Sequence, residues 1–231
     1  MKKIEYTKMA YLYDKFYAQK DYSKETEFIA KFIKNKKSKI LDAGCGTGRH
    51  AKLLFEKGYI VNGFDISPEM VEIANSKMPS HFFTANLLDY TSENKYDLIY
   101  SFFAVFNHLK NYKQFALALS NLKKCTNERG IIIIDLHNPQ KSGQKTDKIE
   151  NATRIMRWRK CGILQKEFSK IDFFVDKQIY TTRHTFKIFN ITKLKKISQK
   201  LGFVSIKFVE NYDQTKPATK NSKNIQVILQ A

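Results

Sequence analysis

The sequence is poor in the residues that mark disulfide-stapled or metal-bound proteins: its 231 residues include three cysteines, four prolines and one tryptophan. Cys45, Cys125 and Cys161 show neither paired spacing nor a Cys/His cluster, which argues against a disulfide framework and a structural zinc site. No segment approaches the roughly 18 apolar residues that a membrane helix needs, and residues 1–10 lack an apolar signal segment. We therefore expect a cytoplasmic protein without a metal site or a membrane partner.

Acidic residues are also scarce. The chain has 41 basic and 22 acidic residues, a formal net charge of +19. Residues 138–231 hold 20 of the basic and 7 of the acidic residues, which is +13 in that part alone. Such a surface attracts RNA, anionic membranes or phosphorylated substrates, although a lysine-rich solvated face explains the composition equally well. Nucleic acid therefore stays open as a partner.

The glycines are concentrated in one stretch, Lys39–His50, with the sequence KILDAGCGTGRH. The pattern predicts a buried strand, a turn and then a helix that ends at Gly58. In the turn, Gly44, Gly46 and Gly48 let the backbone approach a ligand closely. The spacing differs from the G-x-G-x-x-G of dinucleotide sites. Asp42 stands just ahead of the turn, so we expect it to disfavour a diphosphate there and to favour a cationic ligand.

The pattern after this turn predicts alternating strands and helices, and hence parallel βαβ units. A second strand ends at Asp65, 21 residues after Gly44, where such folds place a carboxylate on ribose hydroxyls. Ser67 and Pro68 are typical of a helix N-cap and first turn. Further strands are predicted at 81–85, 96–101, 130–135, 203–210 and 225–229, and further helices at 23–35 with Ser23 as N-cap, 114–125 and 191–201.

From about residue 140 the pattern changes to long strands of mixed alternation. Three of them are predicted at 152–160, 164–175 and 178–189, with turns at 161–162 and 176–177. We interpret residues 140–189 as an antiparallel insertion that forms a cap over the substrate side. No linker is evident, so residues 1–231 are predicted to form a single domain.

The motifs LDAGCGTG, GFDIS and PEM, between Ile40 and Met70, resemble those of the class I S-adenosylmethionine-dependent methyltransferases. The resemblance implies an α/β fold: a Rossmann-like, seven-stranded methyltransferase sheet with the antiparallel β cap inserted after strand five. It implies S-adenosyl-L-methionine as the cofactor. The cofactor-binding residues that it indicates are Tyr13, Tyr22, Asp42, Ala43, Gly44, Gly46, Gly48, Asp65, Ile66, Met70, Asn86, Leu87, Leu88, Ser101 and Phe102.

The resemblance also implies roles within this set. Asp65 would bind the ribose, and Tyr13 and Tyr22 would reach the methionine carboxylate from an N-terminal segment that closes the site. Members of the family usually have Gly-Asp where this chain has Ala85-Asn86, so Asn86 would accept from the adenine amino group through its amide oxygen, and the Leu87 N–H would meet the ring.

Histidine is the natural candidate for a general base, because its pKa is near neutrality. Of the five histidines, His50 follows the glycine turn and His81 begins a strand, which makes both poor candidates. His108 and His137 follow strands four and five, at the carboxyl edge where doubly wound sheets bind ligands. His184 lies in the predicted cap.

Four segments are similar, in order, to segments of bacterial deoxyaminosugar N-methyltransferases, which dimethylate nucleotide-linked amino sugars: KDYSKE (20–25), CGTGRH (45–50), SFFAVFNHL (101–109) and RHTFKIF (183–189). The match implies that His108 is the catalytic histidine and that His184 lies near the substrate. We add Tyr17, Arg154 and Trp158 as substrate-binding candidates, since arginines around Trp158 are suited to hold a diphosphate. Those enzymes have a tryptophan-rich stretch after strand five, whereas residues 136–139 of this chain are LHNP. The identity of the substrate therefore stays open.

The sequence thus predicts a small-molecule methyltransferase, most simply one that N-methylates an amino sugar nucleotide or a related amine. Two alternatives stay open. The first is an RNA methyltransferase that uses the basic C-terminal part, although the Asp/Asn-Pro-Pro-Tyr signature is missing after strand four; the second is a cofactor-binding protein without activity. The acceptor, N- or O-methylation, the number of methyl groups, the nucleotide linkage and assembly as a homodimer also stay open.

Overall fold

A computed structural model describes residues 3–231, with side chains from Lys8 onward. The helices are α1 (Lys3–Tyr17), α2 (Ser23–Ala30), α3 (Arg49–Glu56), α4 (Pro68–Lys77), α5 (Tyr112–Lys124) and α6 (Ile191–Lys200), together with a 3₁₀ helix (Val105–His108). The strands are β1 (Ile40–Ala43), β2 (Val61–Asp65), β3 (Phe82–Thr84), β4 (Tyr96–Ser101), β5 (Thr126–His137), β6 (Gly143–Ile149), β7 (Ala152–Cys161), β8 (Lys166–Val175), β9 (Gln178–Lys187), β10 (Ser205–Glu210), β11 (Asp213–Pro217) and β12 (Asn224–Gln230).

The strands form two sheets. The larger has eight strands in the order β11-β10-β12-β5-β4-β1-β2-β3. Strands β1 to β5 run parallel to their neighbours in this set, whereas β12 is antiparallel to both β5 and β10. The smaller sheet is fully antiparallel, in the order β6-β7-β8-β9, and we call it the cap sheet. The predicted Rossmann-like sheet with an antiparallel insertion is therefore confirmed.

Local sequence signals account for the helix ends near the parallel strands. The Ser67 side chain accepts a hydrogen bond from the backbone N–H of Met70 at 3.3 Å, and Pro68 opens helix α4, as predicted. Asn111 and Asn190 cap α5 and α6 in the same way. Helix α3 ends before Gly58, whose φ of 82° is in the left-handed region that glycine adopts without a steric penalty.

Helix α1 lies between the two sheets and is held by contacts on both sides. Asp14 accepts hydrogen bonds from Arg49 Nε in α3 at 2.9 Å and from Lys77 Nζ in α4 at 2.6 Å. On the other side, Leu12 and Phe16 pack into an apolar cluster with residues of the cap sheet, namely Ile149, Ala152, Phe173 and Val175. Helix α1 therefore connects the cap sheet to the helices of the larger sheet.

Several predicted details are wrong. The larger sheet has eight strands and not seven, because β11 forms an edge hairpin with β10. Strand β6 and helix α1 were not predicted. Helix α2 ends at Ala30 and not near residue 35, and its N-cap is Tyr22 and not Ser23; instead, the Asp21 carboxylate accepts from the Ser23 N–H at 2.8 Å. This side-chain contact displaces the start of the helix by one residue.

Candidate functional site

A cavity of about 600 Å³ lies at the carboxyl ends of the parallel strands, beneath helix α1 and against the inner face of the cap sheet. Its lining comes from distant parts of the chain: Met9, Ala10, Tyr13, Tyr22, Gly44, Cys45, Gly46, Thr47, Arg49, His50, Asp65, Ile66, Ser67, Met70, Phe102, Phe103, Val105, His108, Ile171, Phe173, Thr182 and His184. Nine of these were predicted to bind cofactor or substrate, and a tenth, His108, was predicted to be catalytic. The volume is in the range of small-molecule and cofactor sites.

The glycine turn forms one end of the cavity. The N–H groups of Gly44 and Cys45 both donate to the Phe64 carbonyl, at 2.8 and 2.9 Å, and this fixes the turn against β2. A Cβ on Gly46 would meet no atom within 4 Å, whereas one on Gly44 would lie 2.6 Å from Val105 and one on Gly48 would lie 3.1 Å from Ala74. Gly46 is thus open to a ligand, while Gly44 and Gly48 are needed for packing.

Asp42 does not stand at the mouth of this turn, so it is not the group that would favour a cationic ligand there. Its side chain is 2% exposed and accepts a hydrogen bond from the Tyr100 hydroxyl at 2.9 Å. Burial raises the pKa of Asp42 to about 8, despite the Tyr100 hydrogen bond, which lowers it. Asp42 is therefore protonated at neutral pH. Ala43 and Ser101 also lie beneath the turn, where the Ser101 hydroxyl donates to the Ala43 carbonyl at 2.6 Å.

We expect Asp42→Asn to flatten the pH dependence of stability between about pH 6.5 and 8. With a pKa of about 8 in the folded protein, Asp42 keeps a proton that the unfolded chain has lost, so the free energy of unfolding falls with rising pH, by at most about 1.4 kcal/mol per pH unit. The pKa values of His108 and His184 are lowered in the folded protein. Their titration therefore raises the free energy of unfolding as the pH rises, and it does so below this window. Urea unfolding at both ends of the window measures the slope, and equal slopes for the two proteins would contradict the assignment.

Asp65 lies beside Gly46 at the same end of the cavity. Its Oδ2 accepts from the Gly46 N–H at 2.9 Å and its Oδ1 from the Ser67 N–H at 3.0 Å. These contacts fix the plane of the carboxylate and leave lone pairs on both oxygens for further donors. Burial raises the pKa of Asp65, and the backbone hydrogen bonds partly offset this. Ile66 and Met70 continue the wall beyond Asp65.

Asn86, Leu87 and Leu88 do not line the cavity. Leu87 is buried in the core of the larger sheet, and the Asn86 amide oxygen accepts from the Leu88 N–H at 3.0 Å. Asn121, from α5, donates to the Leu88 carbonyl at 2.9 Å and holds this segment in place. The predicted contact of this segment with an adenine ring stays a prediction.

Aromatic residues of the N-terminal segment close the cavity on the side of α1. Tyr13 and Tyr22 both line it, and the Tyr13 ring packs against that of Tyr17 at a centroid distance of 4.5 Å and a tilt of 46°. Tyr17 does not line the cavity, and its ring contacts that of Phe103 edge to face, with 5.0 Å between the ring centroids. Burial is the main cause that raises the pKa values of all three tyrosines, so their hydroxyls stay protonated and act as hydrogen-bond donors.

The other end of the cavity contains a pair of histidines. His108 ends the 3₁₀ helix, and its ring centroid lies 5.6 Å from that of His184 on β9. His108 is partly open to solvent, but desolvation by the surrounding protein, and secondarily His184, lowers its pKa to about 4. Burial lowers the pKa of His184 as well, and its Nε2 lies 3.2 Å from the Thr182 hydroxyl. Both imidazoles are therefore neutral at neutral pH.

Asn107, which sequence reasoning missed, fixes the segment that carries His108. Its side chain is fully buried, donates to the carbonyls of His137 at 2.9 Å and Lys187 at 2.8 Å, and accepts from the His137 N–H at 2.9 Å. It thus joins the 3₁₀ helix to the ends of β5 and β9. Phe103 and Ala104, just before this helix, both have positive φ, 66° and 61°, a conformation that needs such support in residues other than glycine.

We expect Asn107→Ala to lower the free energy of unfolding by about 2 to 4 kcal/mol, because it leaves one buried N–H and two carbonyls without partners. Asn111→Ala is the matched control: it removes the α5 cap, which costs about 1 kcal/mol. Chemical denaturation of the two variants gives the comparison. Equal losses would show that the three hydrogen bonds of Asn107 contribute no more than one exposed cap.

The substrate candidates on the cap sheet are only partly brought together. Alternation along β7 places Arg154 and Trp158 on the inner face with His184. However, Arg154 is 4% exposed, its Nη2 binds Asp147 at 2.6 Å, and its guanidinium stacks on the Tyr17 ring at 4.5 Å. Arg154 therefore holds α1 and Asp147 through its ring contact, Nε and Nη2, while its buried Nη1 has no hydrogen-bond partner among the described residues. That Arg154 holds a diphosphate stays a prediction. Trp158 lies outside the cavity and donates to the Lys141 carbonyl.

Two histidines that were judged from their place in the sequence differ from expectation. His50 lines the cavity, and its Nε2 lies 2.7 Å from Glu25 Oε2, which also binds Lys20 at 2.6 Å. His137 does not line it and contacts Glu167 at 3.1 Å instead. The amphipathic pattern of α3 does not distinguish His50 from Ala51 and Leu54, because all three are buried. The pattern therefore could not indicate that His50 lines the cavity.

Two negative findings apply to the part of the chain that the structure describes. Among these residues, no three His, Cys, Asp or Glu side chains are grouped as metal ligands. No helix in residues 3–231 is both long and apolar enough to span a membrane.

Comparison with known proteins agrees with this arrangement. The sequence profile of a family described as "Methyltransferase domain" matches residues 13–207. A protein of Geobacillus sp. that is named as a methyltransferase is 29% identical over 147 residues, which are 60% of this chain and 60% of that protein. A dTDP-3-amino-3,6-dideoxy-alpha-D-glucopyranose N,N-dimethyltransferase of Streptomyces fradiae is 24% identical over 120 residues, 50% of this chain and 47% of that protein.

Both alignments thus span less than two thirds of the length of the curated relative. Among solved structures, an S-adenosylmethionine-dependent methyltransferase from Clostridium acetobutylicum superposes with a TM-score of 0.80 at 21% identity, over 97% of this chain and 98% of that chain. At this identity the superposition shows a common fold.

Proposed function

Because the chain belongs to the family of methyltransferase domains, we propose that it transfers a methyl group from S-adenosylmethionine to the amine of a small acceptor. One observation carries the proposal. A single cavity has the open glycine turn and Asp65 at one end and the neutral pair His108 and His184 at the other.

The residues at the first end fit the cofactor. A Cβ on Gly46 would point into open space, which leaves room for a ligand against the backbone. The Asp65 carboxylate is held in a fixed plane by the N–H groups of Gly46 and Ser67 and would accept from ribose hydroxyls. The hydroxyls of Tyr13 and Tyr22, protonated because burial raises their pKa values, would donate to the methionine carboxylate.

The second end determines which acceptors react. The cofactor supplies an electrophilic methyl group on a sulfonium, so the acceptor must present a lone pair in line with that bond. At this end His108 and the cap-sheet residues Ile171, Phe173, Thr182 and His184 line the cavity, with no carboxylate and no cation among them. Such surroundings lower the pKa of a bound amine and favour its neutral, nucleophilic form.

A hydroxyl acceptor is disfavoured by the same geometry. An alcohol must lose its proton to a strong base in the transition state, whereas the pKa of His108 is lowered to about 4, which makes it a weak base. A neutral imidazole would instead accept a hydrogen bond from an amine N–H and orient the amine lone pair for transfer. The thioether would leave, and the methylated ammonium would release its proton to water. His108 thus acts mainly by positioning, and His184, with its contact to Thr182, supports the second N–H.

The finer part of the proposal concerns the acceptor. We infer an amino sugar, linked to a nucleotide, because the Streptomyces fradiae relative is named for a dTDP-linked amino sugar and because Trp158 extends the inner face of the cap sheet beyond His184. The nucleotide would lie along this extension, outside the uncharged end of the cavity. Assembly as a homodimer belongs to the same proposal.

Calorimetric titration with S-adenosylhomocysteine, followed by transfer of labelled methyl to free amino sugars, nucleotide-linked amino sugars and matched hydroxyl sugars, tests both parts. We expect cofactor binding and methylation of an amine but not of its hydroxyl counterpart. Cofactor binding without transfer to any acceptor in the panel would contradict the amine proposal, and a lack of cofactor binding would contradict the whole function. Light scattering gives the oligomeric state.

A further inference from the structure

The outer face of the cap sheet, opposite the cavity, has a groove of about 420 Å³. Strand register places two rows of side chains across β7, β8 and β9 on this face: Arg157, Lys170 and Arg183 in the first, and Arg159, Phe168 and Thr185 in the second. All six line the groove. The rows are separated by two residues along each strand, about 7 Å. The residues between them turn to the inner face, where His184 lines the cavity.

The groove and its next row are strongly basic. The third row contains Cys161, Lys166 and Lys187, so nine neighbouring positions carry six cations and no carboxylate. The nearest carboxylate on this face, Asp172, binds Arg157 and Lys170 at 2.9 Å each. Arg159 and Arg183 are exposed, and within residues 8–231 neither forms an ion pair or a side-chain hydrogen bond. These two guanidinium groups are available to a ligand.

The choice of arginine here does not follow from the composition of the chain. The sequence has 35 lysines and only six arginines, yet Arg157, Arg159 and Arg183 all line this groove. A lysine-rich solvated face would carry lysine at these positions. Arginine differs from lysine because its planar fork binds phosphate oxygens in a bidentate manner and stacks on planar groups.

The apolar part of the groove indicates what kind of anion fits. Phe168 is 41% exposed between the cations of both rows. An exposed aromatic ring among arginines is the arrangement on which single-stranded nucleic acids stack their bases while the backbone follows the charges. A second copy of this chain would bring the same cations against each other, and its net charge of +19 disfavours that contact.

We propose that this groove binds the phosphodiester backbone of single-stranded nucleic acid, with Arg159 and Arg183 on phosphates and Phe168 under a base. The six side chains of the groove lie on the face of the cap sheet opposite the cavity, and His184, in the row between them, contributes to the lining of both. The groove gives the protein an RNA or single-stranded DNA contact in addition to its small-molecule chemistry.

The test is fluorescence anisotropy of labelled oligouridine and oligothymidine with the full chain, from about 50 to 200 mM salt. We expect the double variant R159Q/R183Q to weaken binding at least tenfold at the lowest salt and to reduce the slope of log K against log salt by about 1.4, since each phosphate contact on a single strand contributes about 0.7. F168A should weaken binding at least fivefold, the fold-change for the loss of about 1 kcal/mol of base stacking.

The charge-matched control is K195Q/K196Q on the exposed face of α6, which should change affinity less than threefold. Titration with S-adenosylhomocysteine should be the same for all variants and shows that the fold is intact. Equal effects of the two double variants would overturn the proposal, because binding would then reflect net charge alone. If polyglutamate competes for the site as well as oligouridine does, and F168A binds with the affinity of the wild type, the proposal is overturned in favour of an acidic protein as the partner. A change of oligomeric state in R159Q/R183Q would identify a contact between copies and would also overturn it.

Discussion

His108→Ala lowers the turnover number for methyl transfer by roughly a hundredfold or more, the usual scale for a lost acid–base or proton-orienting group, while affinity for S-adenosylhomocysteine stays unchanged. The reason is the place of the side chain: His108 lines the end of the cavity away from Gly46 and Asp65, 5.6 Å from His184 between ring centroids. Its loss removes the acceptor for an amine N–H without touching the cofactor end. Single-turnover rates with an amine that is methylated by the wild type measure the effect.

Two further variants make this result specific. His137→Ala replaces a histidine that also follows a parallel strand but contacts Glu167 and lies outside the cavity lining, so we expect turnover to stay within about threefold of the wild type. His108→Gln keeps an acceptor oxygen but no base, and we expect it to retain more activity than His108→Ala. A glutamine variant as slow as the alanine variant would indicate proton removal by His108, and an unchanged rate in His108→Ala would refute its role.

Gly46→Leu abolishes measurable cofactor binding, with a loss of affinity of at least a hundredfold, yet leaves the protein folded. At φ 53° a leucine costs about 1 to 2 kcal/mol of stability, and its side chain would enter the space that is empty within 4 Å of the Cβ position. Gly46 lines the cavity beside Asp65, to which its N–H donates. Calorimetry with S-adenosylhomocysteine and thermal unfolding of the same sample report the two effects separately.

Gly44→Ala is the contrasting variant in the same turn. Its Cβ would lie 2.6 Å from a Val105 methyl group, so overpacking and the positive φ together lower the free energy of unfolding by about 2 to 5 kcal/mol. Val105→Ala in this background should restore part of the loss. If Gly46→Leu binds the cofactor normally, the cofactor end is assigned to the wrong place; if Gly44→Ala is fully stable, the packing role of Gly44 is wrong.

The features that were predicted correctly from the sequence are those formed by residues close together in the chain. The strand, glycine turn and helix around Gly46, the carboxylate at Asp65 and the Ser67 cap depend on contacts within a short stretch or on one well-defined crossover. The resemblance to the S-adenosylmethionine-dependent methyltransferases, carried by these motifs, is confirmed by the family match over residues 13–207. The turn at 176–177 was also correct, whereas the turn predicted at 161–162 lies at 162–165, because β7 continues to Cys161.

The features that were missed depend on contacts between residues far apart in the chain. Arg154 was a substrate-binding candidate from its place beside Trp158, but Asp147 and Tyr17, which engage it, come from other elements. Asp42 was predicted to be a charge at the mouth of the turn, but it is buried and bonded to Tyr100, which is 58 residues away in the chain. Asn107 is an ordinary asparagine in sequence, and its importance comes from His137 and Lys187.

Helix α1 was missed for a related reason, and its position has a thermodynamic consequence. A helix of 15 residues has little stability alone in water, so its order depends on Asp14 at one side and on Leu12 and Phe16 at the other. Because Met9 and Tyr13 of this helix are part of the cavity wall, a cofactor that orders α1 also completes the wall that the acceptor meets. Cofactor and acceptor are then coupled, and each raises the affinity for the other by the same factor.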